Sequence, residues 1–303
     1  MTSNNFHSLT PDILATGTTT VDLIFAERAR RDQNRDAVEM GPRKLTYGEL
    51  NERVNRLANA LLAMGFERQD RIALLSHNTI EYLEIIMAAA KIGAIVCCQN
   101  WRLSPAELTH CINLVEPKII IKQPELFDLL ETSNLVPHQT IDLGAEYEAL
   151  LAKASTNDPN QRVASEDGLI VLYTSGTTGL PKGAVISHRA MVTRTMVYAA
   201  ELSVPSTDTF FAWSPLFHMG AADQSIATLL RGGKVFVTDG FELDLMLPAL
   251  EHNTTQWFSL LPGIIENLID AIKTTKPNLS GVSIVGGMAD LISPDQIGES
   301  SEL

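Results

Sequence analysis

Apolar and polar residues follow two periods along this chain, one typical of amphipathic helices and one typical of buried strands. From Thr46 and Glu49, which match a capping box, leucine and valine recur at helical spacing toward residue 65. The continuous apolar run at residues 71–76 predicts a buried strand, and residues 78–93 predict a second helix. Because strands and helices alternate, the pattern predicts an α/β fold with a mostly parallel sheet.

This alternation continues over most of the chain. Ser104, Pro105 and Glu107 predict another helix start, with proline at the first helical position. Further predicted strands are residues 94–98, 118–122, 168–173, 184–187, 208–213, 234–238, 256–260 and 282–285.

One stretch, residues 132–167, loses the alternation. Its polar, turn-rich part at residues 155–161 is typical of a linker or long connection. We therefore predict two layered α/β subdomains, one at residues 1–160 and one at residues 161–303.

The composition excludes some classes of protein. With 303 residues and 45% hydrophobic content, the chain is long and apolar enough for a sizeable core. Lys and Arg total 23 against 36 Asp and Glu, and a net charge of −13 argues against nucleic acid as a partner. The longest apolar run, residues 85–98, contains Lys91 and is shorter than the roughly 20 residues that cross a bilayer, so we expect no transmembrane segment.

The first residues and the cysteines both favour the cytoplasm. No basic cluster followed by an apolar stretch occurs at the start, so we expect no secretory signal. Cys97, Cys98 and Cys111 have neither metal-ligand spacing nor the pattern of a disulfide framework. We assign no metal ligands.

Residues 173–183 (Tyr-Thr-Ser-Gly-Thr-Thr-Gly-Leu-Pro-Lys-Gly) lie between two predicted strands. Glycines let the backbone approach a ligand, hydroxyl groups donate hydrogen bonds, and a lysine adds a charge suited to phosphate oxygens. On composition alone a solvated Gly/Ser/Thr loop is an equal alternative. A Walker A loop is disfavoured because Pro181 and Gly183 flank the lysine. The candidate phosphate-binding residues are Thr174, Ser175, Gly176, Thr177, Thr178, Gly179 and Lys182.

These eleven residues in register resemble the phosphate loop of the adenylate-forming (AMP-binding) superfamily, which includes acyl-CoA synthetases, luciferases and peptide-synthetase adenylation domains. The resemblance implies two Rossmann-like subdomains. It also implies that Thr174 through Lys182 bind ATP and hold pyrophosphate while a carboxylate attacks the α-phosphorus. ATP, Mg²⁺ and CoA are the implied cofactors and co-substrates, and a small carboxylic acid is the implied substrate. Residues 45–50 and 91–108 resemble further family landmarks, which we interpret as structural.

Residues 215–220 (Pro-Leu-Phe-His-Met-Gly) resemble the family segment whose histidine lies beside the acyl group and the adenylate. A lone histidine near apolar residues is more often a core or capping residue. The resemblance implies that His218 binds substrate and stabilises developing charge by donating to a carboxylate or phosphate oxygen. Amino-acid-activating members usually have aspartate here, so this chain resembles them less. The neighbouring apolar side chains either line an acyl pocket or pack in the core: Phe210, Phe211, Trp213, Phe217 and Met219.

A Gly-Gly pair follows the last predicted strand. Residues 283–291 are similar to a family segment near the acyl group, which implies substrate binding by Gly286 and Gly287. A tight turn between a strand and a helix explains the two glycines nearly as well.

Several family segments are missing. The family's Tyr-Gly-x-Thr-Glu segment, which holds Mg²⁺, would follow Tyr198, the last tyrosine, and no Gly-Asp dipeptide occurs. We therefore expect an incomplete second sheet, no small carboxy-terminal domain and self-association through the exposed sheet edge. Two functions stay open: the amino-terminal part of a ligase that activates a fatty or aryl acid and forms its CoA thioester, or a non-catalytic remnant or nucleotide-binding regulatory protein.

Overall fold

The computed structural model describes residues 18–130, 134–136, 138–174, 179–260 and 264–287. The helices are α1 (Val21–Arg31), α2 (Tyr47–Ala63), α3 (Ile80–Ile92), α4 (Pro105–Val115), α5 (Ala145–Ala152), α6 (His188–Leu202), α7 (Met219–Arg231), α8 (Leu243–His252) and α9 (Ile265–Thr275), with a 3₁₀ helix at Pro124–Leu129. The strands are β1 (Asp36–Met40), β2 (Arg43–Thr46), β3 (Arg71–Leu75), β4 (Ile95–Cys98), β5 (Ile119–Lys122), β6 (Gln139–Asp142), β7 (Gly168–Thr174), β8 (Lys182–Ser187), β9 (Thr209–Ala212), β10 (Lys234–Val237), β11 (Thr255–Leu260) and β12 (Val282–Gly287).

The chain forms two compact units, which differ from a simple division of the sequence. Unit 1 comprises Met1–Glu27, Asn51–Ser76 and Glu84–Thr193. Unit 2 comprises Arg28–Leu50, His77–Leu83 and Arg194–Leu303.

Unit 1 contains a six-stranded sheet in the order β6-β5-β3-β4-β7-β8. Every neighbouring pair is parallel except β7 and β8, which are antiparallel. The central strands carry continuous apolar runs, as expected for strands buried on both faces, and every residue of β4 and β5 is buried. The predicted α/β fold with mostly parallel strands is confirmed in this unit.

The predicted capping signals start two helices of the structure. Before α2, the Thr46 N–H donates to Glu49 Oε2 over 2.8 Å, and the Glu49 N–H donates to Thr46 Oγ1 over 3.3 Å. Before α4, Ser104 and Glu107 form the same reciprocal box, with Pro105 at the first helical position. Both boxes satisfy amide groups that a helix start leaves without partners.

Unit 2 contains a four-stranded sheet, β2-β1-β10-β9, and a parallel pair, β11-β12. Two hydrogen bonds bring β9 alongside β11: the Thr209 N–H donates to the Thr254 carbonyl over 2.8 Å, and Trp213 Nε1 donates to the Ser259 carbonyl over 3.2 Å. The second contact lies nearer the carboxyl end of both strands than the first, so β9 and β11 run in the same direction. The carboxyl ends of β9, β11 and β12 therefore lie at one edge.

The predicted boundary between residues 160 and 161 differs from this division. β7, which follows that boundary, pairs with β4 and with β8 in unit 1, whereas β1 near the start of the chain pairs with β10 in unit 2. Sequence order does not separate the units because strands from distant parts of the chain share a sheet.

The stretch predicted as a linker has a defined structure where it is described. It contains β6 and α5, and its polar part is held in unit 1 by side chains of two helices. Asn59 Nδ2 donates to the carbonyls of Ser155 and Asn157, and Lys91 Nζ lies 2.5 Å from Asp158 Oδ2. Polar composition here reflects these bonds, since side-chain amides and charges can satisfy an irregular backbone.

Over the described parts of the chain, none of the helices is both long enough and apolar enough to cross a lipid bilayer.

Candidate functional site

The residues that flank the predicted phosphate loop face each other across a hairpin. β7 and β8 pair antiparallel, with Thr174 opposite Lys182 and Tyr173 opposite Gly183. Thr174 and Lys182 are both exposed. The predicted loop between two strands is confirmed, and the register brings a hydroxyl group and an ammonium group to its two ends.

The inner part of the predicted phosphate site lies outside the described residues: Ser175, Gly176, Thr177 and Thr178. Gly179, which is described, has a φ of +109°. A side chain is strained in that region of backbone space, so this position requires glycine. Gly183 is restricted by contact instead, because a Cβ atom there would lie 2.9 Å from Val171 Cγ1.

Tyr173 anchors the first strand of this hairpin. Its hydroxyl donates to the Cys111 carbonyl and accepts a hydrogen bond from Gln99 Nε2, both over 3.0 Å. Burial raises the pKa of Tyr173 well above its usual value, so the hydroxyl stays neutral and remains a donor. The sequence offered no signal for Gln99, because its role depends on a contact 74 residues away.

His218 lies at the amino-terminal end of α7 as its cap residue. Its N–H donates to the Pro215 carbonyl over 3.0 Å, and its own carbonyl accepts from the Ala222 N–H over 3.0 Å. The imidazole is exposed and does not cap the helix, and its ring centroid lies 4.5 Å from that of Phe217 with the two ring planes tilted by 59°. A helix amino terminus favours negative charge, so an anionic group is electrostatically favoured beside this imidazole.

Gly286 and Gly287 end β12, opposite Ser259 and Leu260 of β11. A Cβ atom on Gly286 would lie 2.1 Å from two carbons of the Trp257 indole. Packing against this ring alone is sufficient to require glycine. His218 follows β9, so His218 and the glycine pair are at the same edge of unit 2.

Of the two roles predicted for the apolar residues near His218, the structure shows core packing for Phe211 and Trp213. Phe211 and Trp213 belong to a buried cluster formed with α8 and α9, and Phe211 lies 5.1 Å from Phe236 and 5.9 Å from Phe258 between ring centroids. These two residues pack in the core. Phe210 and Phe217 are also buried.

The predicted site residues are distributed over both units. Thr174, Gly179 and Lys182 belong to unit 1, and His218 and the Gly286–Gly287 pair belong to unit 2. Among the residues that the structure describes, no three or more His, Cys, Asp or Glu side chains are grouped so that they could hold a metal ion.

Comparison with known proteins identifies the family. A family model described as "AMP-binding enzyme" matches residues 25–299. The chain belongs to the AMP-binding enzyme family. The resemblance inferred from the phosphate loop is confirmed.

Its relatives among AMP-binding enzymes include acid–CoA ligases. A feruloyl-CoA synthase of Amycolatopsis is 33% identical over 226 residues, covering 74% of this chain and 45% of the relative. A putative acyl–CoA ligase, YdaB of Bacillus subtilis, is 30% identical over 260 residues, covering 82% of this chain and 52% of the relative. The chain thus spans about half the length of these curated relatives.

A solved structure has the same fold. The inhibitor-bound N-terminal domain of FACL13 from Mycobacterium tuberculosis matches with a TM-score of 0.84 and 21% identity, covering 93% of this chain and 73% of that one. The predicted α/β fold is therefore also the fold of this N-terminal domain.

Proposed function

We propose that this chain takes part in the ATP-dependent activation of a carboxylic acid. A carboxylate oxygen attacks the α-phosphorus of ATP and forms a new O–P bond, while the bond from the α-phosphorus to the bridging oxygen of the β-phosphate breaks. The products are acyl-adenylate and pyrophosphate. In the second step the thiol of CoA loses its proton and attacks the acyl carbon, and the thioester forms as AMP leaves.

This proposal rests on Thr174 and Lys182 of unit 1, which lie at the two ends of the predicted phosphate loop. Lys182 and Thr174 pair across the two strands at the ends of the loop, so a charge and a hydroxyl group are available to phosphate oxygens. A lysine ammonium is a compact charge that suits the β- and γ-phosphates. Its proposed task is to stabilise the negative charge that develops on pyrophosphate as it leaves.

His218 has the complementary proposed task in unit 2. An imidazole N–H donates to a carboxylate or phosphate oxygen and stabilises charge without transferring a proton. Its position at the start of α7 adds the favourable field of the helix. Gly286 and Gly287 are proposed to give the acyl group close access to the backbone.

The proposed acid is fatty or aryl. Two observations support an apolar acid. Relatives are named for feruloyl and acyl substrates. This chain also has His218 at the position where amino-acid-activating members of the family usually have aspartate. ATP reacts as its Mg²⁺ complex in this proposal. We assign no residue of this chain to Mg²⁺, because among the described residues no three or more His, Cys, Asp or Glu side chains are grouped so that they could hold a metal ion.

The test is acid-dependent exchange of labelled pyrophosphate into ATP by the purified chain. The acids are a panel that includes ferulate and fatty acids of several lengths, and CoA thioesters are followed by mass spectrometry in parallel. Lys182→Ala is compared with Lys153→Ala, because both lysines are exposed and both belong to unit 1. We expect exchange that requires an acid, a loss of ~10²-fold or more in Lys182→Ala, and no change in Lys153→Ala.

Absence of exchange with every acid would contradict the proposal. Binding of ATP without exchange would favour the alternative, a nucleotide-binding protein without turnover. Exchange without formation of any CoA thioester would retain the first step and remove the second.

We also propose self-association through β12. Among the described strands, β12 pairs with β11 on one side only, and Val285 on β12 is 51% exposed. An exposed strand edge with apolar side chains is a template for pairing with a second copy. Sedimentation equilibrium tests this: we expect a dimer that Val285→Lys converts to monomer, and a monomer at every concentration would contradict it.

A further inference from the structure

Asn78 is a buried amide that bonds to four backbone groups of unit 2. The residue is 4% exposed. Its Nδ2 donates to the carbonyls of Ala212, Ser214 and Thr238 over 3.1, 2.9 and 3.1 Å. Its Oδ1 accepts a hydrogen bond from the Leu216 N–H over 2.8 Å. One side chain therefore bonds to backbone groups at the ends of two different strands, with the two amide hydrogens shared among the three carbonyls.

These bonds surround the segment that leads to His218. Ala212 ends β9, and Ser214 and Leu216 lie between that strand and α7. The turn that begins at Pro215 then continues directly to His218, whose N–H bonds to the Pro215 carbonyl. Asn78 therefore holds the backbone up to two residues before His218.

The same amide connects this segment to β10. Thr238, the third carbonyl partner, directly follows that strand. The preceding residue, His77, adds a second contact in this region, since its Nδ1 lies 3.1 Å from Asp239 Oδ1. The chain between β9 and α7 is thus tied to the end of the neighbouring parallel strand.

A local capping role does not explain Asn78. At the start of α3 the Tyr82 N–H bonds to Thr79 Oγ1 over 3.1 Å, so Thr79 caps this helix. The partners of Asn78 lie 134 to 160 residues away along the chain. An amide is also the side chain that offers donors and an acceptor together at this short length.

We propose that Asn78 is a positioning residue, which fixes the backbone between β9 and α7 and thereby the location of His218 at the start of α7. The effect on catalysis rests on the proposed function of His218, whereas the effect on the backbone does not. Buried hydrogen bonds of this kind are costly to leave unmade, so loss of the amide frees the whole segment.

The experiment compares Asn78→Ala with Asn59→Ala in the full chain. Asn59 is a matched control because its Nδ2 also donates to three backbone carbonyls, those of Asn55, Ser155 and Asn157, but it belongs to unit 1. Amide hydrogen exchange is followed by mass spectrometry for peptides that cover residues 212–222, 153–160 and 47–63. Where Asn78→Ala does not fold, Asn78→Asp is used, since it keeps the acceptor for Leu216 and removes the donors.

We expect faster exchange at residues 212–222 in Asn78→Ala and no change there in Asn59→Ala. Unchanged exchange at residues 212–222 in Asn78→Ala overturns the proposal. Equal acceleration in every peptide overturns it as well, because it indicates global loss of stability. This readout requires no activity, so failure of the proposed function does not affect it.

A double-mutant cycle on pyrophosphate exchange tests the link to His218. We expect Asn78→Ala to lower kcat by ~10-fold or more with KM for ATP changed by less than ~2-fold, and to have almost no further effect in His218→Ala. Independent, multiplicative losses would show that Asn78 does not act through His218. If the wild-type chain shows no pyrophosphate exchange, that result counts against the proposed function. The role of Asn78 is then decided by hydrogen exchange at residues 212–222.

Discussion

The phosphate-loop hairpin of unit 1 and the His218 segment of unit 2 are built in opposite ways. In the hairpin, Thr174 and Lys182 lie in one continuous motif and pair through neighbouring strands. In the other segment, His218 depends on an amide contributed by Asn78, far away along the chain. A continuous motif brings its groups together through local strand pairing, whereas a discontinuous site needs the folded sheet.

Both regions are nevertheless held at their base by a side chain whose hydrogen-bond partners are distant along the chain. Tyr173 bonds to Gln99 and to the Cys111 carbonyl below the loop, and Asn78 bonds around the segment before His218. The exposed groups that we assign to chemistry are therefore supported by other side chains, to which we assign no contact with substrate. Supporting residues of this kind determine how closely a site is held to its working geometry.

The largest expected effect separates the two regions by their kinetics. His218→Ala should lower kcat for pyrophosphate exchange by ~10²-fold with little change in KM for ATP, because it removes stabilisation of developing charge. Lys182→Ala should also raise KM for ATP. Exchange rates measured at varied ATP decide this, with the exposed His252→Ala as control. Equal rises in the KM for ATP in His218→Ala and Lys182→Ala would contradict the prediction that only Lys182 contributes to ATP binding.

A second prediction concerns Gly286 and the edge that it shares with His218. Gly286→Ala places a methyl group against the Trp257 indole, which should lower the free energy of unfolding by about 1 to 3 kcal/mol. Urea unfolding measures this. Gly220→Ala is the control, since nothing lies within 4 Å of a Cβ atom there. A Trp257→Leu background should relieve the loss, and an undiminished loss there would indicate that Gly286 is required for another reason.

Acid should lower the stability of the folded chain through His188, which lies next to the hairpin. His188 directly follows β8 and is fully buried, with its Nδ1 accepting the Val21 N–H over 3.2 Å. Burial lowers the pKa of His188 from 6.5 to about 4. The unfolded chain therefore binds more protons between these values, and stability falls as pH decreases through this window.

The size of this effect follows from the same shift. Between pH 6.5 and pH 5 the loss is up to about 2 kcal/mol, since one pKa unit corresponds to about 1.4 kcal/mol. Two carboxylates face His188: Asp22, whose pKa is raised by burial and which therefore acts in the opposite direction at lower pH, and Asp167. Urea unfolding of wild type and His188→Asn between pH 6.5 and pH 5 isolates the contribution of the imidazole to the free energy of unfolding. Parallel curves would contradict the prediction.

The smallest effect is expected from Tyr173→Phe. The variant loses two hydrogen bonds and leaves Gln99 with one partner fewer, which should cost about 1 kcal/mol of stability. It should raise KM for ATP a few-fold and leave residues 212–222 unchanged in hydrogen exchange. Tyr198→Phe is the control, and a larger effect on kcat than on KM would show that this anchor does not act through ATP binding.

Much of the fold was predictable because local signals agreed with the tertiary structure. The capping boxes at Thr46 and Ser104 start α2 and α4, and the apolar runs at residues 71–76 and 118–122 became β3 and β5. Weaker signals were missed. β1, β2 and β6 have mixed composition; β1 pairs with β10, which is distant in the sequence, and β2 and β6 pair with the preceding strands β1 and β5.

The amino-acid sequence by itself determined the family and the α/β alternation, since eleven consecutive residues carry the family motif. Only the tertiary structure decided the two interleaved units, the bonding of the polar stretch at residues 155–158, and the roles of Gln99 and Asn78. The physical reason is the distance along the chain over which each interaction acts. Caps and periodic patterns act over a few residues, whereas a buried amide needs partners that become neighbours only after the strands have paired.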